Sequence, residues 1–439
     1  MKINVKIKVL IIGNGGRETA MIWKLMRSKR IDKIFATGNG GMYAGAEKIE
    51  IPQTDFAALA KFAKENRVGL TIVAMDDLLA TGIVDYFQDQ GLRIFGPTKA
   101  AAQIEWSKKY AKDTMKRAGI PTAGCEIFYD HEAALEYAIN VIHSQGVVVI
   151  KADGLALGKG VKICRIKEEA KKALDEIMIE RAYGDSGSVV LIEEFLEGPE
   201  FSLHVVCDTK GHYQVFPITQ DHKREGDGDT GRNTGGMGVV GPIKIITDDQ
   251  LGLIEETVIK PLLAALASED APFVGCLYPG MILTPDGPKV LEVNARFGDP
   301  EMQVYMMLLK SDLLDILEAC IDGTLDETEI EWETGFATCI AMASEGYPGE
   351  ITKKGMVISG VNEAEEIPGV RIFYAGAKAD STTGEFVNSG GRVLYVVALE
   401  PSLAASIFTA YRAITKIYFE GHWYRTDIGA KLVEKNERE

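Results

Sequence analysis

The sequence predicts an α/β protein of several domains, and three observations support this prediction. The chain has 439 residues, and about 150 residues per domain suggests roughly three domains. Strands and helices alternate along the first hundred residues, which is typical of a parallel sheet covered by helices. Apolar residues make up 46% and charged residues 26% of the chain, close to the average of globular proteins and unlike disordered or fibrous ones.

The N-terminal domain is predicted as a doubly wound parallel sheet over residues 1–102. Its predicted elements are strand 6–12, helix 17–29, strand 33–36, helix 56–65, strand 70–75, helix 79–88 and strand 92–95. The Gly-Pro-Thr sequence at 96–98 interrupts the pattern. It therefore indicates a boundary near residue 100.

A second domain is predicted over 103–330 and a third over 331–439. The predicted elements of the second are helix 101–119, strands 147–151 and 161–163, helix 167–180, strand 189–195 and helices 249–267 and 302–321. Residues 221–238 hold six glycines and seven charged residues and are predicted as a loop. Short strands at 337–342, 371–375 and 392–398 and a helix at 401–418 predict a small third α+β domain.

The net charge and the cysteine content indicate which binding partners and which cellular compartment to expect. The net charge is −16, whereas nucleic acids and anionic membranes recruit clustered basic residues, so we expect neither partner. No apolar run reaches the roughly 18 residues of a membrane span. The six cysteines lie far apart without the Cys-x-x-Cys spacing of a metal site. Free thiols in a reducing cytoplasm are therefore expected.

A glycine-rich turn at 13–16 separates the first predicted strand from the first helix. Glycines there allow backbone amides to approach an anion, and a helix N-terminus favours negative charge. The turn is not the dinucleotide fingerprint, because Glu18 stands where its third glycine is required. A small phosphate ligand is the favoured interpretation, and a tight turn without a ligand is the alternative.

A second glycine-rich segment, residues 154–160, follows Lys151. It is not a Walker A loop, because three residues rather than four separate its first two glycines and no Ser or Thr follows Lys159. A flexible flap over a triphosphate, with Lys151 as a point charge on a phosphate, fits this composition. A β-hairpin with a mobile turn is the alternative.

Three polar residues alternate along one predicted strand face: Glu292, Asn294 and Arg296. A carboxylate and an amide oxygen two residues apart form a hard oxygen site that suits Mg²⁺ held jointly with phosphates. The arginine beside them can neutralise charge on a transferring phosphoryl group. The alternative is a polar strand face without a ligand. We favour a ligand, because burying so many polar groups in a row without one would be costly in free energy.

A strand end at 193–200 combines acidic residues with the apolar pair Phe195 and Leu196. Free backbone groups beside that pair could contact an adenine edge, and Glu200 could accept ribose hydroxyls. A simple solvated strand end is the alternative interpretation.

Taken together, these segments resemble the ATP-grasp superfamily and, within it, the phosphoribosylamine–glycine ligase (glycinamide ribonucleotide synthetase) family. The resemblance extends over nearly the whole chain, and its most specific stretches are IGNGGRE at 12–18, VIKADGLALGKGV at 149–161, IEEFLEGPE at 192–200, DHKREGDGDTGRNTGGMG at 221–238 and NARFGDPE at 294–301. It implies a pre-ATP-grasp N-terminal domain, a two-lobed ATP-grasp domain with a mobile lid lobe at about 122–194, and a C-terminal domain closing the active site.

The resemblance also implies an activity in purine biosynthesis. ATP phosphorylates the carboxylate of glycine to an acyl phosphate. The amine of 5-phosphoribosylamine then attacks it, giving glycinamide ribonucleotide, ADP and phosphate. The implied cofactors are ATP and Mg²⁺, with Mn²⁺ as the alternative metal, and a monomer or homodimer is expected.

Site residues are carried over from the family position by position. Nucleotide contacts fall on Lys108, Lys151, Lys159, Glu193, Phe195, Leu196 and Glu200. The metal ligands are Glu292 and Asn294, and the catalytic residues are Arg296, Lys151 and Asp299. Contacts to glycine and phosphoribosylamine fall on Asn14, Gly15, Gly16, Asp76, Asp221, Lys223, Asn233, Gly235, Gly236 and Asp299.

Departures from the family pattern concentrate in the N-terminal domain, at Thr19, Met42 and residues 75–77. Asp76 stands where the family has glutamate and reaches one methylene less. A second hypothesis follows, that of an ATP-grasp carboxylate–amine ligase paralogue acting on a different amine. A third hypothesis, a catalytically silent nucleotide-binding or regulatory protein, conflicts with the retained metal and phosphate residues.

Overall fold

The N-terminal part of the chain forms a parallel sheet, as the alternation of strands and helices predicts, but with five strands rather than the four predicted, because a short edge strand at Ala46–Lys48 joins it. The computed structural model describes residues 6–38, 45–155 and 160–436, so Met42 and Lys159 lie outside the described residues. The first elements are β1 Ile7–Ile12, α1 Gly16–Leu25, β2 Ile31–Ala36, β3 Ala46–Lys48, α2 Phe56–Asn66, β4 Val68–Val73, α3 Asp76–Thr81, α4 Ile83–Asp89 and β5 Ile94–Phe95. The single helix predicted over 79–88 is two helices, because Gly82 between them has a left-handed φ of +91°.

The strand order β3-β2-β1-β4-β5 places a topological switch point between β1 and β4. Open α/β sheets bind ligands in the crevice beyond the carboxyl ends of such neighbouring strands. The glycine turn 13–16 follows β1, and Asp76 follows β4 at the start of α3. The fold thus brings both predicted substrate segments to one edge of the sheet.

The helix predicted over 101–119 is broken at Ser107, which lies between α5 Lys99–Trp106 and α6 Lys108–Arg117. Ser107 has extended backbone, and its side chain accepts a hydrogen bond of 3.1 Å from the Tyr110 amide. A serine in this geometry caps a new helix. The break therefore makes Lys108 the first residue of α6.

A lobe with its own small core follows. It contains β6 Cys125–Phe128, α7 His131–Gln145, β7 Val148–Ala152, β8 Val161–Cys164, α8 Lys167–Leu174 and β9 Val190–Glu193. Its sheet has the order β6-β9-β7-β8. The helix predicted over 167–180 is α8 extended by a π-helical turn at Asp175–Ile179. The apolar side chains of this lobe form a cluster separate from the main hydrophobic core, which agrees with a lid, although the mobility of the lobe stays a prediction.

The middle of the chain consists mostly of strands, as the sequence pattern over 201–300 predicts. Its elements are β10 Glu200–Ser202, β11 Val205–Cys207, β12 Tyr213–Val215, β13 Gln220–Asp221, β14 Arg224–Gly226, β15 Thr230–Asn233, β16 Gly238–Gly241, α9 Asp248–Ile254, α10 Lys260–Ser268, β17 Gly275–Thr284 and β18 Gly287–Asn294. The prediction of a loop over 221–238 was wrong, because β14 and β15 pair as an antiparallel hairpin within it. Of the glycines and charges that suggested a loop, Asp227, Gly228 and Asp229 lie in the exposed turn, whereas Gly236 and Gly238 are buried.

The last third of the chain contains α11 Glu301–Leu308, α12 Leu313–Asp322, β19 Phe336–Ser344, α13 Val361–Glu365, β20 Val370–Tyr374, β21 Ala377–Ala379, β22 Phe386–Asn388, β23 Arg392–Glu400, α14 Leu403–Ile414, β24 His422–Trp423 and α15 Ala430–Asn436. The helix predicted over 302–321 is interrupted before Asp312, which caps α12 through the Leu314 amide at 3.0 Å. The main sheet here has the order β13-β16-β19-β23-β20, so two strands from the middle of the chain complete it. This sheet crosses the domain boundary predicted at 330, and the boundary stays a prediction.

Within the described ranges, no helix has the length and apolar character needed to cross a membrane.

Candidate active site

One large cavity of about 1070 Å³ lies among the N-terminal sheet, the lobe, the central strands and the C-terminal sheet. Most of the residues predicted for the site line it. They are Asp76, Lys108, Lys151, Glu193, Phe195, Leu196, Glu200, Asp221, Lys223, Asn233, Gly235, Glu292, Asn294, Arg296 and Asp299. Long-range folding therefore brings together the segments that the sequence analysis selected separately.

The glycine turn and Gly236 lie behind the cavity wall rather than among its lining residues. A Cβ on Gly15 would lie 3.4 Å from Asp299 Oδ2, and one on Gly236 would lie 2.7 Å from Asp221 Oδ1. The Gly15 amide donates to Glu18 Oε2 at 2.7 Å. Both glycines thus lie directly behind carboxylates that are predicted to bind substrate. In the same turn, Asn14 is exposed and Gly16 is buried, and a contact of this turn with a phosphate stays a prediction.

Lys151 on β7, the predicted phosphate lysine, is held by a buried carboxylate. Lys151 Nζ lies 2.9 Å from Glu193 Oε2, and Lys112 Nζ lies 3.1 Å from the same oxygen. Burial lowers the pKa of Lys112 despite the attraction of Glu193. Lys112 was missed by sequence reasoning, although it lies one turn after Lys108 on α6 and so on the same helix face.

The other oxygen of that carboxylate, Glu193 Oε1, is buried and has no hydrogen-bond partner among the described residues. Lys108 Nζ donates to the Gly154 carbonyl at 2.7 Å, at the start of the predicted flap. Burial lowers the pKa of Lys108, and Glu292 partly offsets that effect. These groups form the end of the cavity to which the family resemblance assigns ATP.

The predicted metal ligands lie on β18. Lys223 lies 3.3 Å from Glu292 Oε1 and lowers the pKa of Glu292 to about 2, against the effect of burial and with help from Lys151. The Asn294 side-chain amide nitrogen donates to the Tyr278 carbonyl at 3.2 Å, which fixes its oxygen in the opposite direction.

The donor set fits a divalent cation. Glu292 is ionised, and the Asn294 oxygen adds a second hard ligand of the kind that Mg²⁺ shares with phosphates. Gly280 lies opposite Glu292 in the strand register, and a Cβ there would lie 3.2 Å from Glu292 Cγ. A side chain at Gly280 would therefore crowd the space that the carboxylate uses.

Arg296 is oriented by a carboxylate that sequence reasoning missed. Glu105 Oε1 lies 3.0 Å from its guanidinium, and Glu105 Oε2 accepts from the Ala295 amide at 2.8 Å. Burial would lower the pKa of Arg296, but Glu105 and Asp76 raise it above its ordinary value. Arg296 also donates to the Asn294 oxygen at 3.2 Å. Its fork therefore lies beside the predicted metal ligands, where a transferring phosphoryl group would carry charge.

The end of the cavity near Asp299 includes residues from the C-terminal sheet that sequence reasoning also missed. Arg392 donates to the Asp299 carbonyl at 2.7 Å and to the Gly236 carbonyl at 3.1 Å. Tyr347 accepts from the Gly235 amide at 3.0 Å. Burial would raise the pKa of Asp299, but Arg392 lowers it. Arg392 lies within the sequence NSGGRVL at 388–394, a glycine-rich stretch before a strand that could have drawn attention to it but that alone assigns it no role.

The segment 221–223 joins both ends of the cavity. Lys223 Nζ lies 3.3 Å from Glu200 as well as from Glu292, so it bridges the predicted ribose and metal positions. Burial and the neighbouring Glu301 raise the pKa of Asp221 well above its ordinary value. His222 is buried, with Nδ1 3.0 Å from the Gly238 carbonyl and Nε2 accepting from the Gly429 amide at 3.1 Å. Both ring nitrogens of His222 are thus engaged in contacts with the backbone of the protein itself.

Comparison with known proteins agrees with this geometry. The chain matches the phosphoribosylglycinamide synthetase N domain over residues 7–105, its ATP-grasp (A) domain over 106–302 and its C domain over 337–431. It is 43% identical over 434 residues to the phosphoribosylamine–glycine ligase of Rhodopirellula baltica, covering 98% of each chain. The chain belongs to the phosphoribosylglycinamide synthetase family.

Solved structures extend this assignment to the fold. The phosphoribosylamine–glycine ligase of Thermotoga maritima superimposes with a TM-score of 0.80 at 31% identity, over 96% of this chain and 100% of that one. The biotin carboxylase domain of the Hydrogenobacter thermophilus 2-oxoglutarate carboxylase, solved with MgADP, gives a TM-score of 0.72 at 18% identity, over 95% and 92%. The second likeness shows the ATP-grasp fold shared beyond the phosphoribosylglycinamide synthetase family.

Acid should destabilise this member of the phosphoribosylglycinamide synthetase family through His222. Burial lowers its pKa to about 4 from an ordinary 6.5, so the unfolded state takes up the proton first. The neutral ring makes its full contribution to the free energy of unfolding at pH values above 6.5, the pKa of the unfolded state. This contribution is lost as the pH falls towards about 4, the pKa of the folded state. Between pH 7 and pH 5 the loss should be about 2 kcal/mol.

Chemical denaturation at these pH values measures the loss, with His222→Gln as the test and the exposed His143→Asn as its control. His222→Gln should remove this part of the pH dependence, and His143→Asn should keep it. Identical pH profiles for His222→Gln and the unaltered chain would contradict the assignment.

Proposed function

We propose that this chain ligates glycine to 5-phosphoribosylamine with ATP, forming glycinamide ribonucleotide, ADP and phosphate for purine biosynthesis. The observation that supports this most strongly is the full-length similarity to phosphoribosylamine–glycine ligases. A cavity lined by most of the predicted nucleotide, metal and substrate residues adds to that support. The small-molecule substrates agree with an acidic chain whose basic groups concentrate locally.

The nucleotide would occupy the end of the cavity formed by α6, β7 and β9. Lys108 and Lys151 would screen its phosphates, and the buried free oxygen of Glu193 would accept a donor from the ligand. Phe195 and Leu196, which line the cavity after β9, would contact the adenine. Glu200 would accept ribose hydroxyls, while Lys159 in the predicted flap stays an assignment from the family resemblance.

Glu292 and Asn294 would hold a divalent cation, Mg²⁺ with Mn²⁺ as the alternative. Bound there, the cation neutralises phosphate charge and polarises the transferring phosphoryl group. The ionised state of Glu292 and the fixed amide of Asn294 support this role. Lys223 holds Glu292 in place, so the chain positions the ligand through its own ion pair.

The reaction needs activation because a carboxylate is a poor electrophile. A glycine carboxylate oxygen would attack the γ-phosphorus of ATP, breaking its bond to the bridging oxygen and releasing ADP. The amine of phosphoribosylamine would then attack the acyl carbon, expel phosphate and lose a proton as the amide forms. Arg296, held by Glu105, would stabilise charge on the phosphoryl group in both steps.

The amine and glycine would be held at the end of the cavity near Asp299. Asp221, Lys223 and Asn233 line the cavity there, and Gly235 lies beside Asn233. The buried Asp221 Oδ1 has no hydrogen-bond partner among the described residues and so offers an acceptor for a substrate amine.

One of the residues that depart from the family pattern lines the cavity. For this reason the alternative function remains that of a paralogue that ligates a different amine. Asp76 lines the cavity. By contrast, Thr19 donates to the Tyr374 carbonyl at 2.7 Å and so contacts the C-terminal sheet instead.

All six cysteines are free thiols, which supports a cytoplasmic location.

The first experiment measures ADP release from ATP, Mg²⁺ and glycine, with and without freshly prepared phosphoribosylamine. Turnover should require both substrates, and product analysis should identify glycinamide ribonucleotide. Turnover that needs glycine but ignores phosphoribosylamine would favour the alternative amine. An absence of turnover with any amine would contradict the ligase assignment.

Glu292→Gln should reduce turnover by about 10² or more, because the substitution removes the charge of the predicted metal ligand. The fold should remain intact, since the change keeps the side-chain volume. The measurement is ADP release at saturating Mg²⁺, with circular dichroism as a check of the fold. Glu345→Gln removes a carboxylate from an exposed ion pair with Lys353 and is the matched control. A normal kcat for Glu292→Gln would refute the metal assignment.

Arg296→Lys should lower kcat by about 10² or more, because a single ammonium cannot reproduce a fork that meets Glu105 and a phosphoryl group together. Arg93→Lys is the matched control, since the two terminal nitrogens of Arg93 bind two carboxylates outside the cavity lining, one donating to both oxygens of Asp322 at 2.8 Å and the other to Glu318 at 3.1 Å. The steady-state kcat of both variants is compared. A loss below about threefold for Arg296→Lys would assign this residue to the fold alone.

A further inference from the structure

The hairpin formed by β14 and β15 is held not only by its own hydrogen bonds but also by a distant part of the chain. Its two strands cover Arg224–Gly226 and Thr230–Asn233, and its turn is largely exposed. An isolated two-stranded hairpin is marginally stable in water. Residues 425–431, here called the C-terminal clasp, contact the hairpin through charged and polar groups.

Arg425 is the centre of the clasp. Its side chain is 1% exposed, which is rare for an arginine. It donates to the Arg224 carbonyl at 3.1 Å and to Asp229 Oδ1 at 2.9 Å. It also donates to both oxygens of Asp427 at 2.7 Å. A buried guanidinium is tolerated only with such pairing.

Four further contacts surround Arg425. The Thr426 amide donates to Asp227 Oδ1 at 2.9 Å, and the Thr426 hydroxyl donates to Asp227 Oδ2. The Gly228 amide donates to Asp427 Oδ2 at 2.8 Å. Lys431 Nζ lies 2.6 Å from Asp229 Oδ2. The clasp thus holds both sides of the hairpin turn.

The hairpin in turn leads directly to the active site. Lys223 immediately precedes β14, and its carbonyl accepts from the Thr234 amide at 2.7 Å and from the Thr234 hydroxyl at 2.9 Å. Its ammonium lies 3.3 Å from both Glu200 and Glu292. Asn233, the last residue of β15, lines the cavity. The position of the hairpin therefore sets the positions of two predicted substrate residues.

We propose that Arg425 is a positioning residue that fixes the hairpin and, through it, Lys223 and Asn233 for the glycine and amine substrates. This inference rests on the proposed function. Within the described residues, no hydrogen bond or ion pair of the clasp reaches the residues assigned to the adenine and phosphates of ATP, although Lys431 lines the same cavity. The hairpin reaches the predicted ribose and metal residues through Lys223 alone, and the substrate residues through both Lys223 and Asn233. The clasp should therefore affect the substrates more strongly than the nucleotide.

The test compares Arg425→Gln with Arg425→Lys, in the full chain. Arg425→Gln should raise KM for glycine or phosphoribosylamine about tenfold or more. The dissociation constant for ATP should change less, because only Lys223 reaches residues assigned to the nucleotide and its metal. Arg425→Lys keeps the charge and should restore part of the loss. Hydrogen exchange should accelerate in residues 224–233 and stay unchanged in the lobe strands β7 and β9.

Two further variants keep the test decisive. Asp227→Asn weakens the exposed side of the clasp and should give a smaller change in the same direction if Arg425→Gln fails to fold. Arg30→Gln is the matched control, because Arg30 also pairs with two carboxylates, Asp315 and Glu318, far from the cavity. Arg30→Gln should leave both substrate KM values unchanged.

The outcomes separate the two hypotheses. If the unaltered chain shows no amine-dependent turnover, the proposed function fails and this inference fails with it. If the unaltered chain turns over but Arg425→Gln and Asp227→Asn keep normal substrate KM values, only the positioning role fails. An equal loss of ATP affinity, or unchanged exchange in the hairpin, would also overturn it.

Discussion

The active site depends on carboxylates that hold its cations in place before an anionic ligand arrives. Glu193 holds Lys151 and Lys112 from one buried oxygen, and Glu105 holds Arg296. Pairing of this kind offsets the cost of removing a charge from water. It also fixes donors in advance, so that little reorganisation is needed as charge moves during phosphoryl transfer. A chain with a net charge of −16 can thereby maintain a local site for phosphates.

These pairs connect parts of the fold that are distant in sequence. Glu105 lies on the helix that leaves the N-terminal sheet, whereas Arg296 follows the last strand of the central sheet. Arg392 begins a strand of the C-terminal sheet and reaches the Asp299 backbone. The site is therefore complete only when all three regions are assembled. Binding and chemistry are linked to domain packing by the same side chains.

The sequence could predict the local features of the site. Glu292 and Asn294 share a strand face, and Lys151 ends a buried strand, so short-range periodicity was enough to select them. The N-terminal parallel sheet could also be predicted from the sequence, because each connection between successive strands is short in sequence. The resemblance to the glycine ligase family then supplied roles that spacing alone could not.

The remaining features depend on contacts that no local pattern contains. Glu105 and Arg296 are far apart in the chain, so their pairing could not be deduced from either segment. The break at Ser107 was hidden inside a run of good helix formers, because capping by one serine outweighed propensity there. Residues 221–238 looked like a loop, since pairing within the hairpin and support from the clasp are tertiary effects.

The shared C-terminal sheet has an evolutionary consequence. Strands β13 and β16, from the middle of the chain, complete a sheet whose other main strands come from the C-terminal region, and β16 pairs directly with β19. Recombination between relatives at the boundary predicted at 330 would divide one sheet between two parents. The C-terminal region should therefore be inherited together with residues 220–241, rather than exchanged as an independent module.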